Sequence, residues 1–127
     1  MKFNDFVKGK GTEVDQFIGW LLASTAYVKS AHLETDSYAR HKAYDFYYAE
    51  IQPLIDKFSE QYLGFSGKTY VASLPSASQM PKDTIKFMDE MIKCAEPIYD
   101  KTPRALHSVL DDIVGVCYQT KYLLSLK

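Results

Sequence analysis

Apolar residues recur every three or four positions in four stretches of this chain, and nowhere do they alternate as a half-buried strand demands. That period commits the chain to helices packed on helices. The first stretch runs over about 12–32. Val14, Phe17, Ile18, Leu21, Leu22, Thr25, Val28 and His32 share its stripe, with Thr12 as N-cap and Asp15 closing a capping box. His32 therefore falls on the buried-facing side. The second covers about 36–63, with Asp36 or Ser37 as cap, Gly64 placed to end it, and Tyr44, Tyr47, Ile51, Leu54, Ile55, Phe58 and Tyr62 on one broad face. Pro53 lies inside that stretch and predicts a kink. Three or four residues separate the two helices, so they return antiparallel as a hairpin.

From Gly64 to Pro81 the chain carries two Gly, two Pro and five Ser or Thr, which reads as a loop with at most a helical turn at Tyr70–Ala72. The third helix is expected over 81–96, opening at Pro81 and limited by Pro97, and the fourth over 103–126. The 127 residues make one domain, an all-α four-helix bundle with a long crossover between the second and third helices. A chain this long buries roughly two thirds of its unfolded surface and needs no disulfide or metal staple. Cys94 and Cys117 lie in apolar-periodic stretches and read as reduced, buried thiols of a cytoplasmic protein. The longest apolar run, ending at Ala23, falls far short of the ~20 residues that span a bilayer. Residues Met1–Phe6 lack the apolar core of an export signal.

Chemistry concentrates at five positions. His41 and Asp45 are spaced i, i+4, and so are Asp56 and Glu60, so each pair projects from one helix face. Imidazole with carboxylate suits iron or zinc better than magnesium or calcium. His41 and Asp56 lie ~22 Å apart along a helix at ~1.5 Å per residue, so one ion cannot touch both pairs of one chain. Two second helices packed antiparallel about a two-fold axis near Glu50 and Ile51 bring the pairs together and create two equivalent sites. The hairpin adds His32 to the end that holds His41.

In this order, His32, His41-x-x-x-Asp45 and Asp56-x-x-x-Glu60, the chain resembles the ferroxidase signature of the Dps-type miniferritins, in the ferritin-like superfamily. The likeness is best over Ala31–Gly64 and includes Ile55-Asp56-Lys57-Phe58-Ser59-Glu60. The resemblance implies a ferritin-like bundle that binds and oxidises iron(II), stores iron and limits peroxide damage, with zinc as a possible substitute for iron. It implies His32, His41, Asp56 and Glu60 as catalytic ligands and Asp45 as a further ligand or an orienting group. It also implies a homo-oligomer, a dimer or a shell of twelve. The nine-residue step from His32 to His41 is about one helical turn shorter than is usual there, and Pro53 interrupts the key helix.

The competing expectation is a ferritin-like bundle without turnover, serving as a structural or interaction protein in which a metal is only a staple. The formal net charge of −1 gives no drive onto nucleic acid. Lys2, Lys8, Lys10, Lys121 and Lys127 offer weak support for DNA binding, which only many copies in a shell would strengthen. The ten Tyr residues read as packing and interface groups. No Glu-x-x-His occurs, so the bridged di-iron motif of larger ferritins is absent.

Overall fold

The computed structural model describes residues 11–127. The lysines of the N-terminal segment, and the expectation about export, lie outside those residues. The described chain is all helical: α1 (Glu13–Glu34), α2 (Tyr38–Ser66), α3 (Thr84–Ala95) and α4 (His107–Leu124), with short 3₁₀ turns at Ala77–Gln79, Glu96–Lys101 and Arg104–Leu106. None of these helices is long and apolar enough to cross a membrane.

Capping explains where the helices start. Thr12 Oγ1 accepts from the Asp15 N–H at 3.1 Å and Asp15 Oδ2 accepts from the Thr12 N–H at 3.0 Å, so both orphan donors are met as expected. Ser37, the second of the two candidates, caps α2. The end of α2 differs from expectation. Gly64 stays helical, and Gly67 takes the left-handed conformation (φ 69°) and donates its N–H to the Leu63 carbonyl at 3.0 Å. A glycine permits the left-handed stop without enforcing it, and one more turn of hydrogen bonds is gained by waiting for the second one. Pro53 sits within an unbroken helix. It is exposed, as is Ala49, the residue whose carbonyl loses its helical donor.

The third helix begins at Thr84, not at Pro81, because the Asp83 carboxylate can serve the N–H groups of Ile85 and Lys86. Pro81 instead gives its carbonyl to the Tyr27 hydroxyl. The fourth begins four residues late. Buried Thr102 closes a turn onto the Ile98 carbonyl at 2.8 Å, and His107 Nε2 lies 2.9 Å from the Tyr99 carbonyl oxygen, which keeps 96–106 in tight 3₁₀ turns.

Helix α1 packs on α2 and α3, and α4 packs on α2 and α3, so the four surround one core. Tyr47, Ile51, Phe58, Phe87, Met88, Leu110 and Ile113 are among its largest wholly enclosed side chains. Phe17 meets Phe58 edge to face at 5.5 Å. Tyr47 buries its hydroxyl and satisfies it on Ser24 Oγ at 2.7 Å, while Ser24 returns to the Leu21 carbonyl. The stripe expected on α1 was one residue too wide, since Leu22 is exposed at its edge.

No helix forms at Tyr70–Ala72. The crossover leaves α2 at Gly67 and runs against α1, where Gly19 is buried under the Ser73 backbone. A Cβ at Gly19 would meet the Ser73 carbonyl group, with the carbonyl carbon only 2.7 Å away. Gly19→Ala is therefore expected to lower the unfolding free energy by about 1–3 kcal/mol, whereas Gly64→Ala, which meets nothing inside a helix, should raise it by about 0.5–1 kcal/mol. Urea denaturation of the two variants measures the difference. A second test concerns the thiols. Burial, with Glu90 adding to it, pushes Cys94 up to about 11, and burial pushes Cys117 up to about 12. At pH 8 both stay protonated, so Ellman's reagent should label the native protein slowly and the urea-unfolded protein at once.

Candidate metal centre

The link between α1 and α2 is three residues long because each helix closes its own end. The Thr35 N–H donates to the Ala31 carbonyl at 3.0 Å, Thr35 Oγ1 accepts from the Ser37 N–H, and Ser37 Oγ accepts from the Arg40 N–H, both at 3.2 Å. This reversal sets the last turn of α1 beside the first turn of α2. His32 and His41 then stack, with ring centroids 3.8 Å apart and planes 28° apart.

Each ring also reaches the other's backbone. His32 Nδ1 lies 3.2 Å from the His41 carbonyl oxygen, and His41 Nδ1 lies 3.3 Å from that of His32. The His32 carbonyl is among the last four of α1, which have no later N–H within the helix, so His41 supplies a donor that the helix lacks. Both contacts select the tautomer protonated at Nδ1, which leaves each Nε2 with a lone pair for a ligand.

Asp45, one turn after His41, places Oδ1 3.2 Å from His32 Nδ1. His32 is buried; His41 and Asp45 are half-buried. The three residues can present ligand atoms that all lie within 4.8 Å of one another. Two imidazoles and a carboxylate are a donor set for iron(II) or zinc(II). A carboxylate on the Nδ1–H of a histidine also fixes that ring and raises its basicity, so Asp45 can orient His32 even where it does not itself bind.

Asp56 and Glu60 are exposed, 11 and 15 residues beyond Asp45 on α2, and do not join this cluster within one chain. His107 is engaged by the Tyr99 and Thr102 carbonyls at the start of α4, away from it. The same hairpin end borders a cleft of ≈ 640 Å³ lined by Tyr27, Ala31, Arg40, Tyr44, Lys82 and Thr84 among others. In the sequence Tyr44 reads as a packing or interface group, and nothing singles out Arg40. Their i, i+4 spacing was the available signal, but Thr84 reaches them from the far side of the crossover, which no local pattern announces.

A model of a family of unknown function, DUF5856, matches residues 32–124, a span that contains all five candidate residues. A protein of Enterobacteria phage T4, named as an uncharacterized 14.6 kDa protein in the mobD-ri intergenic region, is 54% identical over 128 residues and covers both chains completely. No solved structure matches the chain.

Cobalt(II) titration followed by visible absorption reads the cluster. Asp45→Asn should weaken binding by about 10–100-fold, as loss of a carboxylate that orients or ligates does. His41→Ala should remove the tight phase. His107→Gln should change neither.

Proposed function

We propose a function from the premise that this chain belongs to DUF5856, a family of unknown function: it binds iron(II) between two subunits and oxidises it, as a Dps-like ferritin-fold protein. The observation that carries this reading is the convergence of His32, His41 and Asp45 at one end of α2 while Asp56 and Glu60 stand exposed toward the other. His41, Asp45, Gln52, Asp56 and Ser59 recur at helical intervals on one stripe of α2, with Glu60 at its edge. A second copy laid antiparallel on that stripe sets Asp56 and Glu60 of one subunit against the histidines of the other. A bundle whose second and third helices are joined by one long crossover is the ferritin-like connectivity, which favours the same reading.

Iron(II) is the substrate. His32 and His41 would hold it through Nε2, with Nδ1 already committed to backbone oxygen. Asp45 would keep His32 in place, and the partner's carboxylates would add the negative charge that favours iron(III). With peroxide as oxidant, two iron(II) ions give one electron each to one hydrogen peroxide, which takes two protons and leaves as two waters. Pairs of subunits would suffice for the site, and twelve would enclose a store.

The reciprocal histidine–carbonyl contacts favour a second reading, in which the pair is a clasp that holds the hairpin without turnover. Anaerobic loading with iron(II), then peroxide, separates the two. Iron(III) absorbance well above a protein-free control supports the ferroxidase, and its absence leaves the clasp. Complementation tests the shared site. Asp56→Ala/Glu60→Ala chains mixed with His32→Ala/His41→Ala chains should regain one intact site per heterodimer, about half the wild-type stoichiometry of iron, while neither parent has an intact site. Equal binding by dilute wild-type monomers would overturn it.

A further inference from the structure

The cleft beside the hairpin contains a cation that its own side chains leave unpaired. Arg40 is half-buried and makes no ion pair with a described carboxylate. Its Nη1 donates instead to two hydroxyls, Tyr44 Oη at 3.3 Å and Thr84 Oγ1 at 3.4 Å. Both are buried, at 3% and 6% exposure, and they lie 2.9 Å from each other. Two hydroxyls carry two hydrogens, and their mutual bond uses one. The other hydrogen, and the remaining guanidinium N–H groups, have no acceptor among the described residues. A half-buried guanidinium with spare donors and a neighbouring hydroxyl hydrogen is matched by an oxyanion, which takes two parallel bonds from arginine.

Charge and shape narrow the class. Lys82 adds a second positive charge at the cleft, while Glu34 and Asp83 add two negative ones, so the cleft is neutral overall. That balance suits a ligand with one charge and opposes a polyphosphate. Tyr27 and Ala31 also line the cleft. Tyr27 is stacked on Phe87 at 4.3 Å and tied by its hydroxyl to Pro81, so it offers a fixed aromatic surface. A volume of ≈ 640 Å³ lies in the range of small-molecule sites. We propose that this cleft binds a small organic monocarboxylate, its carboxylate on Arg40 and the Tyr44–Thr84 hydroxyl pair and its apolar body against Tyr27. The site is separate from the histidine cluster and does not depend on iron.

Benzoate serves as the probe, followed through backbone amide shifts of the whole protein. Saturable shifts at Ala31, Arg40 and Thr84 are expected. Arg40→Gln should weaken them about tenfold or more, the loss for one charge-assisted bond, and benzamide should bind correspondingly less well than benzoate. Thr84→Val, which removes the hydroxyl at constant volume, repeats the test should Arg40→Gln not fold. The absence of saturable shifts with benzoate, or affinity unchanged in the variant, would overturn the site. Inorganic phosphate binding there as tightly as benzoate would overturn the choice of a monocarboxylate.

Discussion

Everything of chemical interest here depends on how sharply the chain reverses between Glu34 and Tyr38. With a link of three residues in which Thr35 and Ser37 close the two helix ends and bond to each other, the two helices have little freedom to slide. The reversal stacks the two imidazoles, and it opens the cleft between Ala31 and Arg40. One longer or unsatisfied link would let α1 shift along α2 by part of a turn. Imidazoles that meet at 3.8 Å would then part, because each helical residue moves its side chain ~1.5 Å along the axis.

The histidine pair meets a structural need with one nitrogen of each ring, and the proposed chemistry would use the other. Nδ1 of each ring answers backbone oxygen, and that use itself frees Nε2. A nitrogen able to take a ligand is therefore positioned by the same contact that completes the helix end, as the proposed metal site requires. The five polar positions also divide unequally between solvent and protein. His32 is enclosed, whereas Asp56 and Glu60 are exposed.

Helical period was enough to read the all-α class, the hairpin and the side of α1 that His32 occupies, because burial of one stripe leaves a repeating mark on the sequence. Helix ends were less legible. Gly64 and Gly67 compete for one stop, and Pro81 and Asp83 compete for one start; the winner is set by which backbone groups find partners in three dimensions. The cluster of His32, His41 and Asp45 could be anticipated because its members flank a short turn. The Arg40, Tyr44 and Thr84 constellation could not, since the closing residue arrives after a crossover whose path depends on the contact of Ser73 with Gly19.

That contact changes what the irregular segment between α2 and α3 is. It has little regular structure, yet it is fastened to α1 at two points, by Ser73 at Gly19 and by the Pro81 carbonyl at Tyr27. Between these fastenings Leu74, Ala77 and Ser78 are exposed. The segment behaves as a strap whose middle turns toward solvent at Ala77–Gln79, and a protein engineer wishing to splice a peptide into this chain has a short window there. Material added inside the window hangs outward, whereas material added at either fastening would lift the strap from the bundle and carry Thr84 away from Arg40.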